Sequence, residues 1–93
     1  MELLVRNITV DVTAVSQVAI AENVNRVTCL FVNDSDTTTY LKLGETAVAA
    51  EGIRLNASGG SYEINAISPW LGAVYTIGGA VKRLMITEVY REP

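Results

Sequence analysis

The sequence predicts an all-β domain, a single small antiparallel β-sandwich or jelly-roll-like barrel, and three observations predict it. Ser, Thr, Val, Ile, Gly and Asn dominate while consecutive strong helix formers are scarce. Turn-forming clusters recur about every ten residues, the spacing of short antiparallel strands. Between those clusters apolar and polar residues alternate with the period of two that a half-buried strand requires.

The first such segment is Leu3 to Val12, with Leu4, Ile8, Val10 and Val12 on one face and Asn7, Thr9 and Asp11 on the other. Arg6 interrupts the apolar face near its start, so residues 1–14 are expected as either an N-terminal arm or an edge strand. A weaker segment, Val15 to Ala21, leads through "ENVN" into "RVTCLFVN", where Val27, Cys29 and Phe31 alternate with Thr28, Leu30 and Val32 and both faces are largely apolar. The turn formers of "NDSDTT" followed by "TTYLKLG" predict a hairpin. "ETAVAAEG" is the most helix-like passage, but it is shorter than the ~12 residues at which an isolated helix becomes marginal, and a loop or single helical turn is expected. "GIRLN" and "SYEIN" predict two short strands around "ASGG". "GAVYTI", "GGA" and "VKRLMITEVY" predict a closing hairpin whose last strand sets Leu84, Ile86 and Tyr90 against Val81, Met85 and Val89. Residues 1–93 carry no linker, low-complexity tract or repeat and form one domain.

A chain of 93 residues buries only roughly 60–65% of the surface it exposes when unfolded. With 49% hydrophobic and 18% charged residues it should nevertheless fold. Its one Cys cannot form an internal disulfide, which leaves oligomerisation as the common remedy for a small core. No apolar run reaches the ~20 residues that span a bilayer, and Glu2 stands where a secretory leader carries a cation, so a soluble protein made in the cytoplasm with no membrane partner is expected. Ten acids against seven Lys and Arg, spread along the chain, argue against a nucleic-acid partner.

The inventory also bounds the chemistry. With no His the commonest general base and metal ligand is absent, and His-activated Ser or Cys nucleophiles with it. Cys29 sits among apolar neighbours and is expected as a buried core thiol. Asp34 and Asp36 lack the Gly, terminal Glu and further oxygens of a calcium loop, and Glu45 and Glu51 flank a loop with nothing to place a sugar between them. Catalytic residues, cofactors and metal ligands are therefore expected to be none.

From Asn25 to Tyr90 the chain resembles a group of small β-rich virion proteins of tailed bacteriophages. The resemblance rests on the order of Asn25–Arg26, a strand ending at Asn33, Tyr40 and Gly44, the "GIRL" of Gly52–Leu55, the "GSYE" of Gly60–Glu63, the "GAVYTI" of Gly72–Ile77 and the "TEVY" of Thr87–Tyr90. It implies a non-enzymatic part of the particle, a capsid decoration or cement protein or the base of a head fibre. That protein would be made in the host cytoplasm and located on the capsid surface, with the major capsid or another virion protein as partner.

Leu30 and Val32 depart from that group, in which the second face of this strand is more often polar. Met85 and Val89 repeat the surplus on the last strand. Either the Ala-rich loop and the N-terminal segment cover these residues, or they form an interface, with the chain itself in a dimer or trimer as first partner. Trp70, beside a Pro69 that cannot join a central ladder, is expected as a core plug or as an interface anchor. The competing expectation is a small ligand- or carbohydrate-binding module, such as a host-recognition part of a tail or head fibre, using Trp70, Tyr62 or Tyr75 as a stacking platform.

Overall fold

The structure is a computed structural model that describes residues 2–79 and 81–93. Eight strands are present among them: β1 (Leu3–Val12), β2 (Gln17–Ile20), β3 (Arg26–Asn33), β4 (Thr39–Leu43), β5 (Ile53–Leu55), β6 (Ser61–Ile64), β7 (Val74–Ile77) and β8 (Lys82–Arg91). They form two antiparallel four-stranded sheets, ordered β1-β8-β3-β6 and β2-β7-β4-β5. Strand β1 pairs with β8, β2 with β7, β3 with β6 and β4 with β5, so the chain is one long hairpin rolled over a common core. That is the winding of a double-sheet jelly roll.

The alternation explains which faces meet. Val12, Cys29, Phe31, Ile64, Leu84 and Ile86 of the first sheet close on Ile20, Leu41, Leu55 and Val74 of the second, all at most 4% exposed. Leu4, Ile8 and Val10 lie on the inner side of β1 and Thr9 and Asp11 on the outer, as the period of two requires.

The structure corrects three expectations. Neither β3–β4 nor β7–β8 is a hairpin, because the members of each pair lie in different sheets. Turn residues and loop lengths that close a hairpin serve equally for an arch between sheets, and what decides is the partner each strand finds elsewhere. Ala80, in the expected "GGA" turn, lies outside the described residues. Third, Val27 does not join Cys29 and Phe31. The β3–β8 register shifts between Arg26 and Thr28, and this irregularity turns Arg26 inward and leaves Val27 half-buried. The Ala-rich segment is a loop whose turn at Ala49–Ala50 places Ala50 at φ 66°.

Two buried polar side chains on β3 tie the ends of the sandwich together. At one end Arg26 Nε donates to Glu88 Oε2 at 2.8 Å, Nη1 to the carbonyls of Trp70 and Gly72 at 3.0 Å each, and Nη2 to the carbonyl of Ala21 at 2.8 Å. At the other, Asn33 Nδ2 donates to the carbonyls of Thr37, Leu55 and Asn56, while its Oδ1 accepts from Ser35 Oγ at 2.6 Å. Each hub thereby supplies donors to backbone carbonyls of the segments around it.

Candidate functional site

The outward residues of β1, β8, β3 and β6 lie in register and define one face. Val5, Val89 and Thr28 form one row across the strands. Asn7, Thr87, Leu30 and Glu63 form the next, and Thr9, Met85, Val32 and Ser61 the third. The structure therefore brings Leu30, Val32, Met85 and Val89 onto a single surface. Leu30 is 37% and Met85 40% exposed, while Val32 and Val89 are half-buried by their neighbours.

Neither expected cover lies over this face. The N-terminal segment is β1 itself, paired edge-on with β8. The Ala-rich loop joins β4 to β5 of the opposite sheet and is held at Ala47 by Ser16 Oγ. What fills the middle of the face is uncharged: aliphatic side chains and Met85 interleaved with Thr, Asn and Ser, where Thr87 Oγ1 donates to Asn7 Oδ1 at 2.9 Å. Charges stand around it, with Asp11 opposite Arg83 past one end, Arg91 at the other and Glu63 on the edge strand β6.

Trp70 lies apart from these four. It packs half-buried against the core at the end of the sandwich, and its Nε1 donates to the carbonyl of Ala73 at 3.0 Å. A Cβ on Gly72 would lie 2.7 Å from the Trp70 ring and one on Gly44 2.8 Å, so these two glycines are what let the loop close over the indole.

The other candidates resolve into local partnerships. Asp36 meets Lys82 at 2.7 Å, a contact that holds its carboxyl below the usual range, and Asp34 meets Arg83 at 3.5 Å. The two acids thus turn to different cations rather than toward a common centre. Lys42 bridges Glu45 and Glu51. Cys29 is fully buried opposite Glu88, and burial pushes its thiol up to about 12. A thiol held protonated in the core is a poor nucleophile. Native protein should therefore resist a maleimide at neutral pH and react on adding denaturant; rapid labelling of the native state would contradict the packing of β3.

The polar hubs were the residues that alternation alone passed over. Glu88 falls in phase with Leu84 and Ile86, and Asn33 in phase with Cys29 and Phe31, which is the signal that could have found them. Comparison with protein-family models, with curated proteins and with solved structures returns no match.

Proposed function

We propose that this chain is a non-enzymatic structural protein of a tailed-bacteriophage particle, a capsid decoration or cement protein that self-associates and binds the capsid lattice. The observation that carries the reading is the uncovered face of β1, β8, β3 and β6, with Leu30, Val32, Met85 and Val89 gathered inside a charged rim. A chain of this size gains from burying part of such a face against protein, because association is the common remedy for a small core. The resemblance over Asn25 to Tyr90 supplies the particle as context. The ligand-binding alternative is less well supported, since of its three stacking platforms the Trp70 indole is engaged by Gly44, Gly72 and the Ala73 carbonyl, Tyr62 packs against the core and Tyr75 on β7 is half-buried.

The test is the double variant Val32→Glu/Val89→Glu, which places carboxylates at the centre of the face. If that centre is desolvated in a complex, the substitution costs several kcal/mol of association while leaving the fold intact. Expected is loss of mass in light scattering or loss of co-sedimentation with the particle, and either identifies the face as a contact. A variant that keeps both would remove the face from the account. Locating this domain's density on an imaged particle would test the assignment to the capsid directly.

A further inference from the structure

Strand β1 ends its sheet and, among the described residues, pairs only with β8, in a register that runs without a break from Leu3↔Arg91 to Val12↔Lys82. In an antiparallel ladder alternate residues turn both backbone N–H and C=O toward the same neighbour. The Glu92 N–H donates to the Glu2 carbonyl at 3.0 Å along the continuation of this ladder, so the even-numbered residues of β1 face β8. The odd-numbered ones face away, and the Asp11 carbonyl indeed accepts from Gln17 Nε2 at 2.7 Å from outside the sheet. β8 keeps the same parity: the Arg91 N–H and the Arg83 carbonyl bond away from β1, to Asn25 and Asp34.

Leu3, Val5, Asn7 and Thr9 therefore direct their N–H and C=O groups to the free edge, where no hydrogen bond among the described residues engages them. Natural sheets blunt such an edge with Pro, Lys, a bulge, an inward-pointing charge or a covering segment, and of these β1 has only the inward-turned Arg6. Leu3–Thr9 has no Pro or Lys, and the ladder has no bulge. Its one charge, Arg6, is turned back over the Tyr90 ring, 4.9 Å from the centroid, and toward Glu88. Leu3 is 57% and Val5 60% exposed beside these open groups.

We propose that the free edge of β1 pairs antiparallel with β1 of a second copy about a two-fold axis at Asn7. This deepens the self-association part of the reading above and rests on it. An occupant must itself be an extended strand with an open edge of matching length, and a second copy supplies one under a closed, isologous symmetry. The side chains select the register. With the axis at Asn7, that residue faces the partner's Asn7, amide to amide, and Val5 faces the partner's Thr9, a β-branched pair that sheets favour. Moving the axis to Arg6 preserves the hydrogen-bond parity but sets Arg6 against the partner's Arg6; the Val5 and Asn7 axes each leave one end residue out, Thr9 and Leu3 respectively, and the Val5 axis sets the Asn7 amide against the partner's Leu3. Pairing at Asn7 makes one continuous eight-stranded sheet and lays the two outer faces side by side as a single docking surface.

Asn7→Pro removes the N–H at the centre of the contact, a group that no hydrogen bond among the described residues engages, at an edge position where Pro is tolerated. The full chain at high micromolar concentration should fall from dimer to monomer in analytical ultracentrifugation while its circular dichroism and cooperative melting persist. Asn7→Cys provides a readout that does not depend on Pro being accommodated. Directly opposed, hydrogen-bonded residues have Cα atoms ~5.5 Å apart, within disulfide range, so this variant should cross-link to a covalent dimer on mild oxidation while Val5→Cys stays monomeric on a reducing-free gel. Cross-linking of Asn7→Cys no faster than that of Val5→Cys overturns the edge pairing, as does a folded Asn7→Pro of undiminished mass. If Val32→Glu/Val89→Glu is monomeric and Asn7→Pro dimeric, the edge is wrong and self-association through the face stands. A native protein that is monomeric throughout defeats both.

Discussion

Arg26→Met is expected to destabilise the domain by about 3–5 kcal/mol, the usual cost of removing one partner from a buried ion pair. Both side chains of the Arg26–Glu88 pair are fully buried, at 2.8 Å. The substitution leaves Glu88 with only Arg6 nearby, at 3.7 Å and half-exposed. It also strips the carbonyls of Ala21, Trp70 and Gly72 of their donor, so the loops before β3 and before β7 lose their common anchor. Arg26→Lys should fare little better, since one ammonium cannot reproduce the planar fork that reaches three directions at once. The double variant Arg26→Met/Glu88→Leu should recover part of the loss by removing the stranded carboxylate, while the three carbonyls remain unsatisfied. Urea titration of the native chain, Arg26→Met, Glu88→Leu and the double variant measures the coupling. An Arg26→Met midpoint equal to that of the native chain would show that the pair is solvated.

Strand positions and facing were legible wherever alternation was clean. Ile8, Val10 and Val12 turn inward on β1 and Leu84 and Ile86 on β8 because a strand with one wet side has no other way to place them. The same logic set Leu30, Val32, Met85 and Val89 on the opposite face, but left open whether other segments of the chain cover it. Two kinds of information were not legible. Partner choice was one: "NDSDTT" closes a turn by the same Asn, Asp and Ser chemistry whether the next strand returns beside β3 or crosses to the other sheet, and only the competing pairs β3–β6 and β4–β7 decide. The other was the inward turn of polar residues. Arg26 and Glu88 are charges that by themselves face water, and each becomes a core residue only because the other lies across the ladder from its surroundings. The one-residue shift at Val27 then hid Arg26 from a strict period of two. Trp70 was undecidable because its loop has no period, and the close approach of Gly44 and Gly72 exists only in three dimensions.

Phe31→Ala should be nearly as damaging, and its neighbour Leu30→Ala nearly silent, which makes the pair a measure of which side of β3 is the core. Phe31 is fully buried, with Ile86 beside it on β8 and Tyr62 on β6, and it is the chain's one Phe. Truncating a core Phe removes its transfer free energy and leaves a cavity that close-packed neighbours fill only in part, about 3–5 kcal/mol together. A small domain has ~5–15 kcal/mol in total, so most of its stability goes. At ~4–8 °C per kcal/mol for a domain of this size, the melting temperature should fall by well over 10 °C. Leu30, one residue away and on the opposite face, loses only contacts that are already partly in water, and its truncation should shift melting by about 1 kcal/mol or less in the dissociated protein. The same Leu30→Ala change should instead weaken whatever protein contact the outer face makes. Calorimetry of both variants at low concentration, where association is absent, isolates the fold term. Equal losses would mean that the outer side of β3 is packed as densely as the inner one, and the uncovered face would then no longer be available as a docking surface.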